Sequence, residues 1–146
     1  MTMLPGSMTG SYYVRAIRPA FQDARHWLPA MRDRAVLRRH ALKLRFWGPV
    51  GMVEDLDWDW IQARRDERIG EVRIGDVLGG CDNLRVITWH PKRLTRPSWN
   101  PTGAPVLHIW ILAVFQKKRD EFTKGNLKTF DLRRQTVIDR FYDGIV

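Results

Sequence analysis

Residues 106–115, VLHIWILAVF, contain no charged side chain and no polar alternation. A strand with one wet face alternates apolar and polar residues, so an unbroken run of this length implies burial on both faces. The chain must therefore place this segment at the centre of a sheet and cover it from two sides. A membrane-spanning helix is excluded, because about 20 apolar residues are needed and the charge-free stretch 97–116 is broken by Pro97, Pro101 and Pro105. At 146 residues with 44% hydrophobic content, the chain has enough material for one core and one domain. Residues 1–10 show neither the basic start nor the apolar block of a signal peptide and read as a loose tail ahead of a single domain over 11–146.

Patterning around that run supplies the other elements. SYYVRAI (11–17) is β-prone and closed by Arg18-Pro19. From Phe21 to Phe46, apolar residues such as Trp27, Leu28, Met31, Leu37, Ala41 and Leu44 recur at three- and four-residue spacing opposite a run of arginines. That is the signature of a helical hairpin with one apolar seam, its turn at Pro29 and its end at Gly48-Pro49. The segment 51–68 is acidic early and basic late, which matches the dipole of a short helix capped by Asp55 or Asp57. EVRI (71–74) and LRVITWH (84–90) predict two strands of an antiparallel hairpin around the turn-rich GDVLGGCDN. The tail LKTFDLRRQTVIDRFYDGIV places Leu127, Phe130, Val137, Ile138 and Phe141 on one helical face. The expected architecture is α+β: a small antiparallel sheet, an N-terminal helical hairpin and a C-terminal helix.

Charge is segregated along the chain. Residues 11–50 carry nine basic and two acidic side chains, residues 51–82 four and nine, and residues 83–146 twelve and five. Two basic arms around an acidic middle suit binding to a polyanion, since Lys and Arg displace counterions from phosphates. The alternative is that arginine-rich helix faces serve only solubility. Cys81 is alone, so neither an internal disulfide nor a cysteine-based zinc site is available, and a reducing, cytoplasmic setting is expected. No HxxH or HExxH spacing occurs, and no cofactor or metal is expected.

The order and local sequence of EVRI (71–74), LRVITW (84–89) and the strand end running into FQKK (115–118) resemble the RelE/HigB superfamily of bacterial and phage toxins from toxin–antitoxin modules. The resemblance extends from about residue 21 to residue 141. It implies a ribosome-dependent mRNA endoribonuclease that blocks translation by metal-free attack of a ribose 2′-hydroxyl on the adjacent phosphate. It also implies a cognate antitoxin, of helix-turn-helix type, whose acidic segment covers the cationic face, with the ribosome and mRNA as further partners. Such chemistry needs a base, cations around the transition-state phosphate and an acid for the leaving 5′-oxygen. Arg73 and Arg85 fall where the family places cations on adjacent strands and are the first candidates for phosphate binding. For Arg85 the competing role is an ion pair with Glu71 across the hairpin. Lys117 and Lys118 are candidates for the base, and strand alternation lets only one of them face RNA. His90 is a candidate acid or base at a strand end, whereas His108 reads as a core histidine. Arg119, Lys124 and the loop residue Trp99 are candidate RNA contacts.

The pattern departs from the family in the long loop 91–105 and in RDEFTKGN after the lysines, which weakens Lys124 as an RNA contact, and no tyrosine falls near the lysine pair, so the acid for the leaving group is unidentified. Two other functions fit the same elements. ParE-like toxins share the fold and inhibit DNA gyrase, and a non-catalytic nucleic-acid-binding or host-inhibiting module would need only the surface.

Overall fold

A computed structural model of the chain describes residues 12–47, 57–96, 102–118 and 120–142. The apolar run becomes strand β5 (His108–Gln116), buried at every position from His108 to Val114. β1 (Tyr13–Ala16) flanks it on one side, and β4 (Leu84–Trp89), β3 (Ile69–Ile74) and β2 (Trp58–Trp60) follow on the other. β4 is antiparallel to β5 and to β3, and β2 is antiparallel to β3. The expected all-antiparallel sheet is corrected at one place: β1 runs parallel to β5, with Tyr13 opposite His108 and Ala16 opposite Ile111. Two helices and three strands intervene before β5 returns beside β1. Local patterning marks both strands but carries no information about direction across so long a connection.

The two sheet faces have separate cores. One face, with Val72, Ile74, Leu84, Val86, Ile109, Ile111 and Val114, packs against α1 (Arg18–Trp27) and α2 (Met31–Leu42) through Ala20, Leu28, Leu37 and Ala41. Arg34 Nη1 reaches back to the Leu28 and Pro29 carbonyls at 2.8 and 2.7 Å, tying down the connection between the two helices. The expected apolar seam is only partly internal, because Phe21, Met31, Leu42 and Phe46 are exposed. The opposite face, with Ile69, Ile87, Trp89, Trp110 and Leu112, is covered by α3 (Lys124–Phe141) through Phe130, Val137 and Ile138. A reciprocal Thr123–Asn126 capping box starts α3, satisfying two backbone donors of its first turn. Among the described residues the fold is thus α+β, with a five-stranded mixed sheet and three α-helices.

Segment 57–68 is not an α-helix: it is the strand β2 followed by one 3-10 turn over Gln62–Arg64. Trp58 and Trp60 project from one side of β2, opposite Val72 and Gly70 of β3, so period two overrides the dipole-matching charge pattern. Gly70 is required here. A Cβ at that position would lie 2.4 Å from the Trp58 ring. The remainder of that expected helix, residues 51–56, lies outside the described residues. At Asn83 the chain takes φ 57°, and Asn tolerates this left-handed conformation better than most residues do.

Among the described residues no helix is long and apolar enough to cross a membrane.

Candidate functional site

Register determines which cations meet. Arg73 of β3 lies directly opposite Arg85 of β4, which lies opposite Phe115 of β5. All three belong to the face covered by α3, and alternation puts Lys117, two residues beyond Phe115, on that side as well. The Lys117 ammonium sits 4.4 Å from the centroid of the Phe122 ring, a member of the same core cluster. Lys117 is half-buried and Lys118 exposed. A row of cations from three adjacent strands therefore converges at one end of one face.

Two like charges directly across a sheet repel, and both arginines are neutralised by carboxylates. Arg73 Nη1 donates to Asp57 Oδ1 at 2.6 Å, with Asp59 3.7 Å from Nη2. The hydrogen bond to Asp57 raises the Arg73 pKa, against a smaller desolvation effect. Arg85 Nε lies 2.9 Å from Glu71 Oε1, with the side chains only 11% and 8% exposed. The contact lies off the N–H axis, so these two atoms attract as charges without a directed hydrogen bond. Arg85 thus makes the ion pair that competes with direct phosphate binding.

Lys117 and Lys118 line a cleft of about 420 Å³ between the end of β5, α1 and the first half of α3. β1 stops at Ala16, so the outer edge of β5 beyond Ile111 has no strand beside it. Side chains take over the unpaired backbone groups: Val114 N–H donates to Asp23 Oδ2 at 3.1 Å, and Arg133 Nη1 donates to the Leu112 carbonyl at 2.9 Å. Arg133 also pairs with Asp23 at 2.6 Å, joining α3 to α1 across the cleft floor. A register shift between Ile87 and Thr88 leaves Leu112 without a cross-strand partner at this point. Sequence reasoning missed Asp23 and Arg133. The signal was present for Arg133, whose spacing from Phe130 and Val137 places it on the inward side of α3.

The remaining candidates do not join this cluster. His90 is corrected from a groove-facing acid or base to a core residue. It is 2% exposed, and its ring lies 4.4, 5.0 and 5.4 Å from those of Trp47, Trp58 and Trp60. Alternation along β4 puts it on the helical-pair face, away from the arginines. Desolvation, with Arg68 as a second cause, drives its pKa well below the usual histidine range, so it stays neutral. His108 is buried as expected, with Nδ1 3.3 Å from the Val106 carbonyl and Nε2 unpartnered. Burial lowers its pKa to about 4, the Val106 hydrogen bond opposing and Arg15 reinforcing the shift. Lys124 is exposed in the first turn of α3. Arg119 and Trp99 lie outside the described residues. Among the described residues, no three His, Cys, Asp or Glu side chains are grouped to hold a metal ion.

No protein-family model, curated protein or solved structure gives a significant match to this chain.

Proposed function

We propose that the chain is a toxin of the RelE/HigB type, a ribosome-dependent mRNA endoribonuclease held in check by a cognate antitoxin. The observation that carries this reading is the convergence of Arg73 of β3, Arg85 of β4 and Lys117, the residue after β5, onto one end of one sheet face. The reaction is transesterification: the 2′-oxygen attacks phosphorus, the bond to the 5′-oxygen breaks, and a cyclic phosphate and a 5′-hydroxyl end result. The side chains divide the work by their accessibility. Arg73 is exposed enough for an RNA phosphate to replace Asp57, because exposed ion pairs are worth only about 0–1 kcal/mol. Arg85 is a positioning residue, holding Glu71 and backing the row from below. Lys117 and Lys118, at the cleft mouth, are the groups that reach the scissile phosphate, and the ribosome supplies the alignment that so dispersed a site lacks.

Lys117→Met tests this directly, since it removes a charge from a half-buried strand end and keeps the aliphatic contact with Phe122. Induced wild-type protein should arrest growth and leave ribosome-dependent breaks in translated mRNA, mapped by sequencing 5′ ends. Lys117→Met should reduce those breaks about 10²-fold, by analogy with loss of one transition-state donor. Arrest without breaks, accompanied by gyrase-dependent DNA damage, would transfer the assignment to the gyrase-inhibitor class. The engagement of both arginines by carboxylates is the feature that favours that second reading, which needs no cationic site on this face.

A further inference from the structure

On the other side of the sheet, α1 and α2 leave a groove of about 580 Å³ between them. Its floor is made by core side chains of three strands, among them Val14, Val86 and Ile111, and its walls by small residues such as Ala24 and Ala35. Alanines keep the helices from filling the space above the sheet. α2 buries only Leu37 and Ala41 among its twelve residues. Phe21 and Met31, 60% and 77% exposed, stand on the lips of this groove, with Leu42, 39% exposed, also lining it. Exposed apolar side chains concentrated around one concavity mark an interaction site.

Charge selects the occupant. Arg25, Arg34 and Arg38 line the same groove. The two helices carry six arginines against Asp23 and Asp33, and Asp23 is already paired with Arg133. A two-fold dimer formed through this groove would bring arginines against arginines. A nucleic-acid duplex keeps its base faces stacked inside and presents phosphates outside, so it leaves the apolar floor unfilled, and a lipid surface would meet a concavity instead of a protruding wedge. The groove runs between two helices and offers side chains instead of a free strand edge, which suits a helix better than an added strand.

We propose that this groove receives an amphipathic helix of a partner protein, its apolar side against Val86 and Ile111 and its Asp or Glu side chains facing Arg25 and Arg38. The groove and the cation row lie on opposite faces of the sheet, with Val114 and α1 bordering both the groove and the Lys117 cleft. The inference does not rest on the nuclease reading, and it is tested by binding alone.

The probe is a fluorescein-labelled helical peptide of about five turns, Leu on one face and Glu on the other, with a Lys-for-Glu version as control. Anisotropy with the full chain should show saturable binding of the Glu peptide that weakens as salt is raised, and at least tenfold weaker binding of the Lys peptide. Met31→Glu and Arg38→Glu, both at exposed positions, should each weaken binding about tenfold while leaving the melting temperature near that of the wild type. Equal binding of both peptides, or binding indifferent to both substitutions, overturns the proposal. So does a dimer in sedimentation that Met31→Glu dissociates, or binding to anionic phosphatidylserine vesicles without binding to the peptide.

Discussion

The rim of the sheet and its interior each hold an arginine beside acidic groups, one cross-strand step apart, and they use it differently. At the rim, Arg73 meets Asp57 and Asp59 with solvent around all three, the side chains 36%, 63% and 57% exposed. In the interior, Arg85 and Glu71 are shut away together. Water can solvate either partner of the outer pair when the other leaves, so that contact is exchangeable. It cannot do so for the inner pair, where each charge depends on the other for compensation. An exposed position on β3 can release a cation to a ligand, whereas the same residue type one strand further in is held by the fold.

The largest effect expected from this difference is at Glu71. Glu71→Ala strands the Arg85 guanidinium in a half-apolar interior and should cost about 3–5 kcal/mol, read as a lower midpoint in urea unfolding. Glu71→Leu combined with Arg85→Met should recover most of that loss, because an apolar pair of similar volume has no charge to compensate. If Glu71→Ala unfolds at the wild-type midpoint, water reaches Arg85 and the two regions are alike. Arg85→Ala is subject to the same argument, since it leaves Glu71 buried without its cation.

Acid should separate interior from rim next. His108 is fully buried, and its pKa falls from 6.5 to about 4. The unfolded chain therefore binds a proton at a higher pH than the folded one does. Its contribution is complete above pH 6.5, declines as pH falls from 6.5 towards 4, and declines no further below that. At about 1.36 kcal/mol per unit, the loss is on the order of 3 kcal/mol. His90, depressed in the same direction, extends the decline downward in pH. His108→Gln should flatten the upper part of this profile in melts taken between pH 7 and 4. A profile unchanged by the substitution would place the acid sensitivity elsewhere.

What could be read from the sequence follows the same division. The interior announces itself: the run 106–115 has no polar phase, and β5 is indeed buried from His108 to Val114, with β4 along one side and β1 beside its first four residues on the other. The hairpin of β3 and β4 and the apolar face of α3 were equally legible, because each obeys a local period. The direction of β1 was not, since it depends on a pairing almost a hundred residues away in the chain. At the site, the residue types were readable and their partners were not. Period two put Arg85 beside Ile87 and Trp89 on one face and His90 on the other, but the enclosure of His90 depends on Trp47 and β2 arriving from elsewhere. Residues 57–68 misled because a charge gradient is compatible with a helix dipole but does not require an α-helix. The Trp-x-Trp alternation inside it was the stronger signal.

The smallest effect is the most discriminating one. Arg73→Ala should lower stability by less than about 1 kcal/mol, because an exposed pair gains little Coulomb energy and ordering two side chains offsets part of it. Under the nuclease reading, the same substitution should still reduce mRNA cleavage about 10²-fold, the cost of withdrawing one cation from a developing phosphate charge. Stability and activity then part company at the rim, whereas at Glu71 and Arg85 they must fall together. The measurement pairs urea unfolding of Arg73→Ala with 5′-end mapping after its induction. A stability loss comparable to that of Glu71→Ala would mean that Asp57 and Asp59 hold Arg73 as firmly as the interior holds Arg85, leaving no cation on β3 free to exchange onto RNA.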